Sequence, residues 1–512
     1  MDLELKKDCF DAFDAGAEQI LTQEETAETI VPDYCPDIAR IISAEGKVFL
    51  HDRAIRDGRA EVAGTVRVCV LYTPDGESGI RSLEFAMPFS AETDGKAMGE
   101  CVFLTAEAEP ETLETRMLNP RKVFTHCKLV LRLVGYRKMP LCFSTDVEGG
   151  EELCLERQQE TQHTTLLTRI AEKDFTFSDE ITLSPGKDGA AEVLSSRITP
   201  VVTETKLVGS KLILKGTFPV SVLYRTSGGQ CASVSGELPF SQIMEVEGAP
   251  ENAGVSVSLQ LTGVEVQIGG ADPEGRQIAV SLYVHAAALL RQEQTITLLS
   301  DLYSTAYNVT YEAEPLQLTD RYDTPVRRQM VREVLEIGVV ADSILSLSAT
   351  CGSVSVGREG DGTMLRTAVL VRALYLDEGG VPLVTERRLD VSCQMDIPED
   401  CRVVPRAICP DEVQGSLGDH GIEVRFPVEF QAQVTTRKKR VCLSTARIDM
   451  DTPKDLSAAP SLVLRGLGRD ETLWMLAKRH NTTVGDILSA NGLESEGDVP
   501  REKLLLIPKK RA

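Results

Sequence analysis

Cysteine and histidine side chains could provide metal ligands and nucleophiles, but in this sequence they are spaced too widely to form a site. Cys393, Cys401 and Cys409 recur every eight residues, whereas zinc ligands come in pairs two to four residues apart. The six histidines stand singly, and the sequence has no Gly-x-Ser-x-Gly elbow, P-loop or dinucleotide-binding glycine motif. We therefore predict a protein that is not an enzyme, with no metal, no cofactor and no catalytic residue.

The thirteen cysteines are scattered along the chain, and no two of them form a Cys-x-x-Cys pair. The N-terminal residues are acidic from Asp2 onward and lack the apolar stretch of a secretory signal. A secreted chain is expected to pair its cysteines, whereas a reducing cytosol leaves them as small buried apolar groups. We therefore predict an intracellular protein with unpaired cysteines.

The chain is strongly acidic, with 78 Asp and Glu against 55 Lys and Arg and a formal net charge of −23 over 512 residues. This charge argues against binding to nucleic acid or adsorption onto anionic lipid. No apolar run reaches the roughly 18 residues of a membrane span, so we predict no membrane insertion. The strongest basic run is 435–440. It is interpreted either as a solvated strand edge or as a contact for an acidic partner or a phospholipid surface.

Two landmarks recur along the chain at the same long period. An apolar run ends in Leu-Tyr at Tyr72, Tyr224 and Tyr375, in steps of 152 and 151 residues. Each run is followed by a second match, which reads MPFS, LPFS and the weaker LDVS. Because two independent landmarks keep one period, the sequence predicts three tandem repeats.

Alternating apolar residues such as Val66, Val68 and Val70 predict β-strands within each repeat. A short amphipathic helix is predicted at the start of each repeat, at 35–46 and, less clearly, at 189–197 and 331–338. The predicted fold class is mainly β, with three tandem β-rich repeats that each carry a short helix and a small C-terminal βααβ domain. The predicted boundaries are 1–157, 158–300 and 301–452 for the repeats, 453–460 for a linker and 461–512 for the last domain.

The C-terminal domain is predicted from helix caps and two short apolar strands. Asp470 is the expected N-cap of a first helix that ends at Asn481, and Thr482 or Thr483 caps a second helix. The second helix closes at 491–492. The segments LVLRGL and KLLLIP flank the helices and are expected to pair as antiparallel strands.

The stretches ETLWMLAKRH, TTVGDILSANGL and LLIP resemble the LysM module. The resemblance implies a groove between the first strand–helix loop and the second helix–strand loop, which binds glycan in that family. The residues expected at this groove are Gly468, Arg469, Asp470, Glu471, Thr472, Trp474, Asn491, Gly492 and Leu493. Asp470 and Glu471 place an acidic pair on the groove lip, where the family commonly has Gly-Asp, and this weakens the sugar-binding interpretation.

The stretch VPDYCPDIARIISAEGKV and the following V-x-V-x-V-L-Y hairpin resemble the SPOCS domain of spore-coat-associated proteins from endospore-forming bacteria. Three such repeats before a LysM module resemble clostridial coat morphogenetic proteins. The resemblance implies a scaffold in the mother-cell cytoplasm, at the forespore outer surface and in the spore coat. Its LysM module would dock on the stage IV sporulation coat ATPase, and other coat proteins would be further partners. The alternative is a protein that binds peptidoglycan of the cortex or cell wall.

Trp474 is the only tryptophan and lies one position off the apolar stripe of the first predicted helix. One interpretation is a partly buried core residue of the C-terminal domain. The other is an anchor at a protein interface, where tryptophan is enriched. The two interpretations are compatible if one edge of the indole is exposed.

Overall fold

The structure is a computed structural model. It describes residues 1–93, 96, 98–269, 274–360, 362–410, 413–418, 421–455, 460–468, 471–498 and 504–509. The described chain is mainly β and forms three consecutive segments, 1–147, 155–304 and 307–453, followed by a small α/β domain.

The first segment contains one three-stranded antiparallel sheet, three strands of a six-stranded sheet that continues into the second segment, and a separate two-stranded ribbon. Its strands are β1 (Leu5–Phe10), β2 (Phe13–Ile30), β3 (Ile38–Arg56), β4 (Arg59–Pro74), β5 (Arg81–Glu92), β6 (Cys101–Asn119), β7 (Lys122–Lys138) and β8 (Leu141–Val147). The three-stranded sheet has the order β3-β4-β5, and β1 pairs with β8. The strands β2-β7-β6 form half of the six-stranded sheet, in which Phe13 of β2 pairs with Leu167 of the second segment. Side chains from both sheets form one apolar core around Val66, Val68 and Leu131.

The second segment follows a single 3-10 turn at Glu151–Leu153 and has the same strand order. Its strands are β9 (Leu155–Thr182), β10 (Ala190–Ile198), β11 (Val201–Val208), β12 (Lys211–Thr226), β13 (Cys231–Glu245), β14 (Gly254–Ile268) and β15 (Gln277–Ser304). β12 lies between β13 and the pair β10 and β11, and β15 lies between β9 and β14. The outer halves of β9 and β15 extend beyond the core as a ribbon.

The third segment again places one central strand in each of two sheets. Its strands are β16 (Tyr307–Asp323), β17 (Val326–Glu336), β18 (Ala341–Glu359), β19 (Gly362–Asp377), β20 (Pro382–Met395), β21 (Arg402–Ile408), β22 (Gln414–Gly418) and β23 (Gly421–Pro453). β19 lies between β18 and β20, and β23 pairs with β16, β17, β21 and β22. The predicted boundaries 157/158 and 300/301 fall inside β9 and β15, because these strands run on as ribbons.

The predicted helices at 35–46, 189–197 and 331–338 are wrong. Most of these residues lie in β3, β10 and β17. In β3, pairing shifts after Ile38 and after Ile41, so that two bulges each add one residue to the strand. Ile38, Ile41 and Ala44 therefore face the same core at a three-residue spacing, which resembles the period of a helix.

The same two bulges occur in β10 and β18, at steps of 152 and 151 residues from those in β3. In each strand, the two residues at the bulges face the core of that segment. The residue directly after the second of them points to the opposite side, where the three segments meet. These residues are Ile42, Leu194 and Leu345. Together with leucines of the neighbouring strands, they form an apolar cluster to which all three segments contribute. Its buried members are Leu71, Ile80, Leu194, Leu223, Leu345 and Leu374, and we call it the central cluster.

Each segment has a two-stranded ribbon: β1 with β8, the outer halves of β9 and β15, and β16 with the C-terminal part of β23. These three ribbons form a second contact between the segments. Leu3 and Val147 from the first ribbon pack with Leu302 from the second and Ile448 from the third. The basic run 435–440 lies here in β23 and pairs with β16. Two of its cations contact acidic groups of the same chain: Arg437 lies 2.5 Å from Asp14 and Lys438 lies 2.5 Å from Asp320. The run is therefore used within the chain.

The expectation of unpaired cysteines is wrong for Cys9 and Cys142, which form a disulfide. They stand opposite each other in the β1–β8 ribbon, and 133 residues separate them in sequence. No local spacing reveals such a pair. In the third segment, the thiols of Cys351 and Cys409 lie 3.4 Å apart without a bond.

The motifs MPFS and LPFS have a packing explanation. Phe89 lies opposite Gly64 on the neighbouring strand, and Phe240 lies opposite Gly216. A Cβ on Gly216 would lie 2.1 Å from the backbone oxygen of Val201 and 2.6 Å from the Phe240 ring. Each ring thus covers a glycine that leaves space for it. In the weaker third motif both partners differ, because Thr367 stands opposite Val391.

We predict that Gly216→Ala lowers the free energy of unfolding by about 1–3 kcal/mol, because the new methyl group overlaps backbone and ring atoms that cannot move apart freely. Urea denaturation of the full chain measures the change. Gly236→Ala in the same sheet is the matched control, since its Cβ would meet Ile181 no closer than 3.7 Å. It should change the value by less than about 0.5 kcal/mol. Equal effects of the two substitutions would contradict this explanation.

Candidate partner-binding site on the C-terminal domain

The C-terminal domain has the predicted order of strand, two helices and strand. Its elements are β24 (Leu462–Gly466), α1 (Leu473–His480), α2 (Val484–Asn491) and β25 (Leu504–Pro508), with a 3-10 turn at Glu496–Asp498. β24 and β25 pair antiparallel, as expected. Neither described helix is long enough to cross a membrane.

Threonine hydroxyls begin both helices and left-handed residues end them. The Thr472 hydroxyl accepts a hydrogen bond from the Met475 amide at 3.2 Å, so Thr472 is the N-cap of α1. The prediction of Asp470 as this N-cap is wrong. Asp470 and Arg469 lie outside the described residues. Asn481 and Gly492 adopt positive φ at the helix C-caps, as predicted.

Asn491 fixes the floor of the predicted groove. Its amide nitrogen donates to the carbonyls of Ile487 and Leu506, at 2.7 Å each, and its side-chain oxygen accepts from the Leu506 amide at 2.8 Å. Leu506 pairs with Leu464 on β24. The end of α2 is therefore anchored to the middle of β25, and the Asn491 side chain is used for this contact.

Glu471 does not present a bare negative charge on the groove lip. Its carboxylate lies 2.9 Å from Arg465 and 2.7 Å from Arg479, and accepts a hydrogen bond from the Gly468 amide at 3.2 Å. Desolvation would raise its pKa, but the amide and the two arginines outweigh it and lower the pKa. The expected acidic lip is thus neutralised, at least at Glu471.

The remaining described groove residues are accessible. Gly468, Thr472 and Gly492 are exposed, and Leu493 is half-buried against the domain core. Apart from Trp474, Leu493 is the only apolar side chain among the described residues of the predicted groove. The described residues of the two predicted groove loops are therefore mostly polar side chains and glycines.

Trp474 faces away from this groove and toward the second segment. The indole nitrogen donates a 2.7 Å hydrogen bond to the Asp301 carboxylate in β15. The ring meets Tyr303 edge-on, with the centroids 4.8 Å apart, and only 8% of the residue is exposed. Trp474 is therefore buried within the chain, at a contact between the C-terminal domain and the β-rich part.

Lys478, one helical turn after Trp474, reaches the same carboxylate. Its ammonium donates to Asp301 at 2.6 Å and to the Tyr311 hydroxyl at 3.0 Å. Burial of Asp301 would raise its pKa, but the hydrogen bonds from Lys478 and Trp474 outweigh this effect and lower it. Asp301 is thus held ionised between two donors from α1.

Two further hydrogen bonds fix the end of α1. The Tyr303 hydroxyl donates to the Thr482 carbonyl at 2.8 Å, and Lys454 donates to the Asn481 side chain at 2.7 Å. We call Asp301, Tyr303, Tyr311 and Lys454 the seat of the C-terminal domain. The sequence gives one hint of the seat, because Trp474 lies off the apolar stripe of its helix and so needs a second surface to cover it.

We predict that Asp301→Ala exposes Trp474, because the indole and Lys478 lose their common acceptor. As the only tryptophan, Trp474 reports on the seat directly: its emission should shift to longer wavelength and become more accessible to acrylamide quenching. Asp323→Ala, which removes an exposed carboxylate paired with Arg321 in β16, is the matched control. An unchanged spectrum in Asp301→Ala would show that the carboxylate does not hold the indole.

The seat should also weaken in acid. The pKa of Asp301 lies below its ordinary value of about 3.9, so its carboxylate stabilises the folded seat fully above that value. This stabilisation is lost as the pH falls through the lower pKa of the folded state. Trp474 emission should therefore shift below about pH 4 in the wild type, and Asp301→Asn should lack this step. Circular dichroism over the same range separates the step from general unfolding.

Comparison with known proteins finds two kinds of domain in this chain. A family model described as SipL, SPOCS domain, matches residues 37–133 and 190–269, and a LysM domain model matches 468–501. No curated protein and no solved structure matches. The SPOCS matches cover β3 to β7 in the first segment and β10 to β14 in the second. The predicted resemblance is confirmed: the chain joins SPOCS domain sequence to a C-terminal LysM domain, as a sporulation-related protein with a module of the peptidoglycan-binding type.

Proposed function

We propose that this protein is a non-enzymatic scaffold for spore-coat assembly. In this proposal it acts in the mother-cell cytoplasm, at the outer surface of the forespore. Its LysM domain docks on the stage IV sporulation coat ATPase, and its three β-rich segments present surfaces to other coat proteins. The presence of SPOCS domain sequence supports coat association, because that domain is found with spore-coat proteins in the family that the sequence resembles.

The observation that carries the proposal is the way the LysM domain is held. Trp474 and Lys478 are used in the seat, while Gly468, Thr472 and Gly492 remain exposed. The groove is thus free to meet a partner while the domain stays fixed to the β-rich part. A fixed domain suits a scaffold, since docking then sets the position of the other three segments as well.

The groove chemistry favours a protein partner over a sugar. Small-ligand sites are concave and lined mainly by apolar and aromatic side chains. Apart from Trp474, the described groove residues contribute Leu493 alone, beside a Glu471 carboxylate that two arginines already neutralise. Protein interfaces tolerate such polar surfaces at their rim. In this proposal Trp474 does not contact the partner; it holds α1 on the β-rich part of the chain.

The alternative function is binding of peptidoglycan in the cortex or cell wall. The LysM match supports it, because this module is of the peptidoglycan-binding type. The two functions make different demands on the same groove, so one substitution tests both.

We predict that Gly468→Arg weakens binding of the full chain to the purified coat ATPase at least tenfold, which corresponds to about 1.4 kcal/mol. The new side chain fills the groove mouth, and its Cβ would meet only the Glu471 carboxylate, at 3.0 Å. Gly485→Arg makes the same change at the exposed start of α2, away from the groove, and should bind like the wild type. Surface plasmon resonance measures both affinities.

Two further measurements decide between the alternatives. Asp301→Ala should bind the ATPase within about threefold of the wild type if the groove docks. A gain in its affinity, together with unaffected binding by Gly468→Arg, would instead assign docking to the Trp474 face and contradict the groove. Co-sedimentation with purified peptidoglycan that is lost in Gly468→Arg, without any ATPase binding in the wild type, would establish the glycan function.

A further inference from the structure

A polar cavity of about 240 Å³ lies where the three segments meet, beside the central cluster. One leucine from each segment lines it on the apolar side: Leu71, Leu223 and Leu374. Its polar wall also draws on all three segments, through β3, β10 and β18 and their neighbouring strands. A single buried water needs only about 10–15 Å³. The cavity is therefore large enough for a small solute.

One carboxylate inside the cavity joins two guanidinium groups from the other segments. Both oxygens of Glu45 lie 3.0 Å from Arg197, and one lies 2.6 Å from Arg372. Burial would raise the pKa of Glu45, but the two arginines and Lys47 lower it to about 2. Glu45 is therefore ionised, and its charge is shared between two cations.

Lys47 adds a third cation to this group. Its ammonium donates to the Ser196 carbonyl, and no described carboxylate lies within ion-pair distance of it. Outside the cavity, Glu386 also pairs with Arg372. Glu45 and Glu386 leave one positive charge of this group without a carboxylate in direct contact, and the exposed Glu84 acts on Lys47 only at longer range. An unpaired buried cation is costly, and burial lowers the pKa of Lys47 accordingly.

Hydroxyl groups face the same space at equivalent positions. Ser43, Ser195 and Ser346 line the cavity at steps of 152 and 151 residues, one from each segment. Their hydroxyls make no hydrogen bond to the described part of the chain. Serine hydroxyls and an ammonium group together are donors suited to an oxyanion.

The other charged residues of the wall define its opening. Glu84 and Glu265 line the cavity and are exposed, so they lie where it meets solvent. Arg67 is already bound to the Val264 carbonyl at 2.5 Å and stacks over Phe49. The carboxylates of Glu84 and Glu265 repel anions, and they repel long, highly charged molecules more strongly than a small anion of low charge.

We propose that this cavity binds a small oxyanion of the phosphate or phosphomonoester class, held by Lys47 and the three equivalent serines. The anion supplies the negative charge that the group around Glu45 lacks. Because its ligands come from all three segments, the bound anion stabilises the contact between them. This site is separate from the LysM groove, and the proposal does not depend on which partner the groove binds.

Isothermal titration calorimetry of the full chain with inorganic phosphate tests the proposal, with chloride at matched ionic strength as the reference. Saturable binding is expected for phosphate, with a rise in the melting temperature that chloride does not produce. Lys47→Met should weaken binding at least tenfold. Lys215→Met, which removes an exposed lysine paired with Glu204, should bind like the wild type.

A variant with Ser43, Ser195 and Ser346 all changed to Ala keeps every charge and should also weaken binding at least tenfold. It replaces Lys47→Met as the test if that variant does not fold. Absence of saturable phosphate binding in the wild type would overturn the proposal. Equal phosphate affinity in the wild type and in either cavity variant would overturn it as well.

Discussion

Burial of both faces of one strand in each segment is the constraint on which the rest of the structure depends. In β3, Ile41 packs into the core of its own segment while the next residue, Ile42, packs into the central cluster. The two bulges make this possible, because each one resets which side the following residues face. β10 and β18 carry the same bulges. The central contact therefore depends on an irregularity that each segment supplies.

Packing three similar segments around one cavity also limits which charged side chains can line that cavity. Glu45, Arg197 and Ser348 occupy equivalent positions, at steps of 152 and 151 residues. Three carboxylates at these positions would repel one another, since all three residues line one cavity. Here the three segments differ, so that equivalent positions supply an acid, its cation and a neutral hydroxyl. The difference between the segments thus places an ion pair where three like charges would repel one another.

Local patterns predicted the parts of the fold that local interactions determine. The alternation at Val66 and Val68 identifies β4, and the caps at Asn481 and Gly492 locate both helix ends. The sequence predicts a helix where the bulged strand β3 lies, because the core-facing Ile38 and Ile41 are three residues apart, a spacing that a helix would also produce. The groove loops followed from the LysM resemblance, whereas the seat did not. A contact between positions 301 and 474 leaves no periodic signal, and only the tertiary structure reveals it.

The seat fixes the orientation of the LysM domain relative to the β-rich segments. A module on a flexible tether would search a volume, and its partner would constrain only how far away the β-rich segments lie. Here α1 is fixed at Asp301 and Tyr303, at the end of strands that continue through the ribbons into the second and third segments. Attachment at one point therefore sets direction as well as distance. Copies of the protein on one surface would all project their central cavities at the same height and angle.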